Sequence, residues 1–310
     1  MTMRITSANA FESTIANLQQ RQTDVSDAQN RLTAGKRVVK ASDDPVAAAR
    51  AERALAAMVR SEANQRALEA SRNVMQQAES ALGDAGELLQ QARELVVQGG
   101  NGSYDSANRK TLAEALRGLR SQLLGVSNRG DGAGGYVFAG QGSDSPPFVD
   151  TPSGVVFRGA GGQIAAPSDE PLALSVDGQQ AWLGAPDPSG SGTVSVFGSL
   201  DNIIAKLEDP TLDSTQVSTA VKDGLSDLDA VMNNVGAVRA AAGETLNRTD
   251  MVEGRIAESK LAAQTERSNA EDLDMVQAIS DFQTKQTGYD VALKTYSLVQ
   301  RQSLFQYISA

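Results

Sequence analysis

Two short heptad seams, one near each end of the chain, limit the folds open to it more than any other feature. Phe11, Leu18, Val25 and Leu32 fall seven residues apart, with Ile15 four beyond the first. Phe282, Tyr289 and Tyr296 repeat that spacing near the other end, with Ile279 and Leu293 fourteen apart on the companion position. A seven-residue apolar repeat keeps one stripe facing a partner helix along a supercoil. The two ends are therefore expected to meet each other, to meet neighbouring copies, or both. The chain reads first as an assembling protein and only second as an enzyme.

The material between the seams divides by composition. A first helix is expected over 8–33, closed by Gly35 in the left-handed cap position. Asp44 followed by Pro45 is a strong helix start, because the carboxylate accepts orphan N–H groups and proline has none to satisfy. The helix it opens should run from Pro45 to about Gln98, with Leu55, Val59, Leu68, Met75, Leu82 and Leu89 among its apolar positions. Glycines at 99, 100 and 102 break it, and Leu112, Leu116, Leu119 and Leu123 mark another helix from about Ser106 to Val126. Then 16 of the 28 glycines crowd between Gly125 and Gly198, which argues against continued helix there. Short β-rich runs appear at 136–138, 155–157, 172–176 and 193–197. Helical periodicity returns at Leu200, a long helix follows from about Thr215 to Gln264, and the second seam helix occupies 272–308.

The fold class expected is mainly α: a nested bundle of long helices formed by N- and C-terminal segments, with a small inserted β-rich domain. Its segments are an assembly segment 1–44, a helical half-bundle 45–130, the β-rich insert 131–199, the second half-bundle 200–268, and an assembly segment 269–310.

Composition closes off much chemistry. The chain has no cysteine and no histidine, which removes disulfides, thiolate or imidazole metal sites and His-based catalysis. A net charge of −10 argues against nucleic acid as the main partner, since phosphate recognition needs a basic surface. No stretch approaches a membrane span, so no membrane insertion is expected, and Met1 to Gln20 carry no charged-then-apolar leader, so any route out of the cell is expected to be other than a cleaved signal. The run from Gly130 to Gly135 matches a dinucleotide-binding string, yet it lies after a helix and before a strand, the reverse of what that fingerprint needs, and reads as a linker. The acidic pair Asp43-Asp44 and the cluster Glu271, Asp272, Asp274 read as helix caps before they read as cation ligands or an acid–base pair. No cofactor, metal or catalytic residue is expected. Residues 1–40 hold six basic and three acidic side chains and 271–310 three and five, a mild complementarity between the ends.

The seams bury too little to order both terminal segments by themselves, because short isolated helices are marginal and backbone ordering opposes them. The ends are expected to stay mobile until neighbouring copies add burial.

Specific strings sharpen this. Met3-Arg4-Ile5, Arg31-Leu32-Thr33-Ala34-Gly35-Lys36-Arg37, Ala41-Ser42-Asp43-Asp44-Pro45, Gly135-Tyr136-Val137-Phe138-Ala139-Gly140, Val235-Gly236-Ala237-Val238-Arg239, Glu271-Asp272-Leu273-Asp274-Met275 and Ser303-Leu304-Phe305-Gln306-Tyr307-Ile308 occur in this order along nearly the whole chain. In them the chain resembles the hook-associated protein 3 family of flagellar junction proteins, within the flagellin superfamily. Flagellin, the filament subunit, is the alternative; its double aspartate usually continues into Ala-Ala-Gly, where this chain has Pro45-Val46. The resemblance implies a structural adaptor between the first hook-associated protein and the flagellin filament, self-associated in a ring. It implies export through the flagellar type III apparatus, with a cytoplasmic chaperone on the C-terminal helix beforehand and a final place outside the cell. It also adds Leu304, Phe305, Tyr307 and Ile308 to the seam residues as the expected assembly interface.

Overall fold

The computed structural model describes residues 2–308 except 133, 143, 164, 166–172, 174 and 191, and within that range the side chains of 12–298. The elements run α1 (Thr2–Ala34), α2 (Pro45–Gly99), α3 (Ser106–Ser127), β1 (Phe148–Thr151), β2 (Gly154–Phe157), α4 (Gly178–Leu183), β3 (Ala185–Pro186), β4 (Thr193–Val194), α5 (Val196–Glu208), α6 (Ser214–Glu271) and α7 (Met275–Ile308). The fold is mainly helical with a small β insertion. Two compact units are present: Met1–Arg60 with Glu258–Ala310, and Ser61–Ala257.

Helix ends follow local chemistry. Gly35 closes α1 at φ 65°, with its amide donating to Leu32 O and that of Lys36 to Arg31 O, both at 3.3 Å, the two bonds of a Schellman cap. Asp44 opens α2 by accepting from the amides of Val46 and Ala47 at 3.1 and 3.0 Å. Asp105 does the same for α3 through Asn108 N at 2.8 Å. At α6, Asp213 accepts from Gln216 N at 2.8 Å while Gln216 Oε1 takes the Asp213 amide at 3.0 Å, a reciprocal capping box.

Along α2 the buried positions recur every seven residues. Ala47, Ala54, Ser61, Leu68, Met75, Leu82, Leu89 and Val96 are all nearly or fully inaccessible, and Ser71, Ala78, Ala85 and Ala92 form a companion line. Helix α6 repeats the pattern through Val221, Leu228, Val235, Ala242 and Thr249. Leu55 and Val59, expected among the apolar positions of α2, lie off its buried line and are exposed. Alanine at positions 47, 51 and 54 takes the inward places instead. In the second unit, ion pairs of Arg72 with Asp250 and Glu253 (2.6 Å each), Arg239 with Glu79 (2.6 Å) and Arg93 with Asp229 (2.8 Å) lace α2 to α6 outside the apolar line.

The insert is held by an aromatic cluster. Trp182 stacks on Phe197 at 6.1 Å and 17° and takes Phe138 edge-on at 5.4 Å, with Phe148 closing the group at 6.2 Å from both Trp182 and Phe197. Strands β1 and β2 pair antiparallel from Phe148 opposite Phe157 to Thr151 opposite Gly154, and β3 pairs with β4. Gly178 is required here, because a Cβ at that position would fall 2.1 Å from Phe138 O.

Three of the expected β runs differ from this. Tyr136-Val137-Phe138 forms one isolated bridge, Tyr136 to Gly130, and a turn in which Val137 and Phe138 are buried. Of 172–176, residues 172 and 174 lie outside the described residues, and Ala173 makes a single bridge to Ala165. The run 193–197 is strand only at Thr193–Val194, because the Ser195 hydroxyl accepts from Gly198 N at 2.7 Å and starts α5 at Val196.

Candidate assembly interface

Helices α1 and α7 pack against each other, both within the first unit. Ile15, Leu18, Val25 and Leu32 of α1 are half-buried, with Ala28 buried beside them. Phe282, Tyr289 and Tyr296 of α7 are half-buried in turn. The Arg21 side chain reaches across to α7, where a Cβ on Gly288 would come 2.9 Å from its Nη1. Ile279 and Leu293, expected on the companion line of this pair, are instead exposed by 46% and 40%, beside an outward Val276 at 82%. The reason is geometric: α1 leans to the side of α7 that carries Ala278 and Ala292, both half-buried, so the opposite companion line faces out. The side chains of Phe11, Leu304, Phe305, Tyr307 and Ile308 lie outside the described residues. The seam is thus real as a stripe and shallow as a core.

The deepest part of the pair is at its root, where the segment after α1 meets the break before α7. Arg37 N donates to Glu271 O at 2.7 Å and Leu273 N to Gly35 O at 3.1 Å, either side of an antiparallel bridge between Lys36 and Asp272. Lys36 Nζ pairs with Glu271 at 3.1 Å, and the Arg37 guanidinium donates to Ala270 O at 2.9 Å and to Asp44 at 3.2 Å. Val38, next along the chain from this clasp, is buried. The mild charge complementarity between the ends is realised in an ion pair, Lys36 with Glu271.

The acidic residues here act as caps. Asp43 Oδ2 accepts from the amides of Val39 and Lys40 at 3.1 and 2.9 Å, and those amides hold its carboxyl below the ordinary value, with Arg31 a smaller contributor. Asp44 is lowered first by the Ala47 amide and then by Arg37. Asp274 opens α7 through Val276 N and Gln277 N at 3.0 and 3.2 Å, and Asp272 is taken up by the Ser268 hydroxyl. A groove of about 430 Å³ beside the clasp, lined by Asp24, Arg31, Arg37, Leu273, Asp281 and Lys285 among others, mixes both charge signs.

Elsewhere the chemical motifs resolve structurally. Either side of the glycine run, Gly130 bridges Tyr136 and Asp131 Oδ1 accepts from Gly135 N at 2.9 Å, and no helix directly follows Gly135. Among the described residues no group of acidic, histidine or cysteine side chains is placed to hold a metal ion, and no helix is long and apolar enough to cross a membrane. Sequence reasoning missed Val38, Ala28 and Val276. Only Val276 had a signal, as an apolar residue just inside a capped helix start.

Known proteins give the context. Residues 5–143 match the model of the bacterial flagellin N-terminal helical region. Flagellar hook-associated protein 3 of Salmonella typhimurium is 28% identical over 98% of this chain and 99% of its own length. The Escherichia coli protein of the same name is 29% identical over 89% and 90%. Flagellin of Bacillus subtilis is 25% identical over 81% of each chain. In fold, the chain is similar to a flagellar hook-associated protein 3 from Legionella pneumophila, with a TM-score of 0.64 at 17% identity over 69% of this chain and 97% of that one. It is similar also to FlgL of Xanthomonas campestris, with a TM-score of 0.61 at 19% identity over 70% and 99%.

Proposed function

We infer that this chain, a member of the flagellar hook-associated protein 3 family, is the structural adaptor that joins the flagellar hook to the flagellin filament. The observation that carries the reading is collinearity. The likeness to the Salmonella hook-associated protein runs through 98% of this chain and 99% of the relative, whereas the flagellin match leaves about a fifth of each uncovered.

From that premise, the α1–α7 pair is the assembly surface. A shallow seam of half-buried Ile15, Leu18, Val25, Leu32, Phe282, Tyr289 and Tyr296 gains burial when copies pack side by side. The outward Ile279 and Leu293 supply the next contact layer, with the ends of both helices, Phe11 and Leu304, Phe305, Tyr307 and Ile308, extending it. The copies form a ring, with the first hook-associated protein on one side and flagellin on the other. The chain is exported unfolded through the flagellar type III apparatus, held beforehand by a cytoplasmic chaperone on residues around 270–310, and works outside the cell. Its role involves no catalysis and no cofactor, in keeping with a sequence free of cysteine and histidine.

The test is genetic. A strain lacking the protein should carry hooks without filaments and shed flagellin into the medium, and a variant lacking 280–310 should fail to rescue it. Filaments of normal length on either strain refute the adaptor role. Purified protein that grows into long fibres from seeds would make it a filament subunit.

A further inference from the structure

The turn joining α2 to α3 holds the only Asn-Gly pair in the chain, Asn101-Gly102. Its entry is packed: a Cβ on Gly99 or Gly100 would come 2.9 Å from Leu207 Cδ2 or 3.0 Å from Val221 Cγ1. Its tip is open. Asn101, Gly102 and Ser103 are exposed, and nothing lies within 4 Å of where a Gly102 side chain would begin. The backbone is held in a turn by Asn101 N donating to Gln98 O at 3.1 Å and Tyr104 N to Asn101 O at 3.0 Å. The Asn101 side-chain carbonyl is held too, its Oδ1 accepting from Ser103 N at 3.1 Å. Among the described residues the Gly102 amide has no acceptor.

We propose that Asn101 is a self-modification site, whose side-chain amide reacts with the Gly102 backbone nitrogen in the folded protein. The Ser103 amide draws electron density from the Asn101 carbonyl and keeps its Cγ turned to the chain. The unbonded Gly102 nitrogen, with no Cβ to shield it, is the neighbouring nucleophile. The Gly102 N–Cγ bond forms, the Cγ–Nδ2 bond breaks, and ammonia leaves carrying the proton from the Gly102 nitrogen. Water then opens the five-membered imide at either carbonyl, giving aspartate or, with a methylene inserted in the main chain, isoaspartate. No oxidant or cofactor enters.

Other asparagines lack this arrangement. Asn128 spends both amide atoms on the Phe148 backbone, at 2.8 and 2.9 Å. Asn234 donates to Gln180 O and Ala181 O from inside α6 and precedes a branched Val235. The consequence at residue 101 is directional. Because Gly99 and Gly100 are packed, the added methylene of isoaspartate displaces the chain on the α3 side, where Asp105 caps the helix through Asn108 N. A carboxylate also appears just beyond the negative end of α2.

The experiment follows the purified full-length chain at mildly alkaline pH by peptide mapping and by isoaspartyl methyltransferase labelling, folded and in denaturant, with Gly102→Ala beside it. The expected result is conversion confined to Asn101, first-order, faster as pH rises, and in the folded chain within on the order of tenfold of the denatured rate. Gly102→Ala, which meets no atom in the fold, should slow it on the order of tenfold, equivalent to about 1.4 kcal/mol of barrier. Conversion confined to the denatured chain, or an unchanged rate in Gly102→Ala, overturns the proposal. So does a glycan on Asn101 in protein from its native source, because Asn101-Gly102-Ser103 is also an acceptor sequence for N-glycosylation.

Discussion

Replacing Arg120 by methionine should destabilise the second unit without unfolding it. Arg120 lies on α3 with its side chain 13% exposed and reaches two elements at once. Its Nη1 and Nη2 donate to the two oxygens of Asp150 on β1 at 2.6 and 2.9 Å, and Nη2 also donates to Asp201 on α5 at 2.9 Å. Nε comes within 2.6 Å of Asp201 at an angle that makes no hydrogen bond, adding only charge attraction. The guanidinium sits 6.0 Å over the Phe197 ring, which stacks on Trp182. The Asp150 hydrogen bond first, and Asp201 after it, raise the guanidinium pKa, and Arg120 in return lowers that of Asp150. Charged hydrogen bonds contribute about 1.5–3 kcal/mol each when intact. Asp150 and Asp201 are 45% and 40% exposed, so water recovers much of that on truncation, and about 2 kcal/mol is the expected net loss. For a cooperative unit of about 200 residues this lowers Tm by about 4–8 °C. The only tryptophan, Trp182, makes its fluorescence the natural readout, because the ring beneath Arg120 is its stacking partner. Changing Asp150 and Asp201 to asparagine in the same chain should recover part of the loss, since the penalty lies in carboxylates left without their cation. A Tm for Arg120→Met equal to or above that of the parent protein refutes the reasoning.

Other outcomes follow from the same geometry. Gly178→Ala should lower the Trp182 transition by about 1–3 kcal/mol, because the new Cβ meets Phe138 O at 2.1 Å and the backbone must shift; unchanged calorimetry would contradict that. Asp43 and Asp44 have lowered pKa values, so their stabilisation of the clasp is complete above the ordinary aspartate range and is lost as pH falls through the folded values. Protection of the amides at 37–48, taken relative to the free-peptide exchange rate at each pH, should therefore fall only in acid below about pH 4, and a loss of protection centred near neutrality would contradict this assignment. Phe282→Ala with Tyr289→Ala should impair filament attachment and leave the Trp182 transition where it is. A lowered transition would mean that the seam serves the monomer's core.

Much of the helical layout was legible residue by residue. Gly35, Asp44-Pro45 and the glycines at 99 and 100 each mark a boundary that lies within a residue or two of where it was expected, because caps act through hydrogen bonds two to five residues long. Ser195 was overlooked for the same kind of bond: a β-rich run concealed a serine cap. The deep heptad of α2 was legible through Leu68, Met75, Leu82 and Leu89, but not at Ala47, Ala54 and Ser61, because a small residue does not announce which way it faces. The more conspicuous terminal heptads proved to be the shallow ones.

The sequence by itself determined that α1 closes at Gly35, that α2 opens at Asp44-Pro45 and stops at the glycines 99 and 100, that both ends carry seven-residue apolar repeats, and which chemistries are closed to a chain without cysteine or histidine. Those properties rest on local hydrogen bonding, side-chain spacing and residue type. Only the tertiary structure decided that Lys36 and Arg37 hold the backbone around Glu271, that α1 leans onto the Ala278 and Ala292 side of α7, and that Ile279 and Leu293 face outward. A heptad states that a stripe will be covered, whereas the side from which a partner approaches depends on contacts more than two hundred residues apart in the chain.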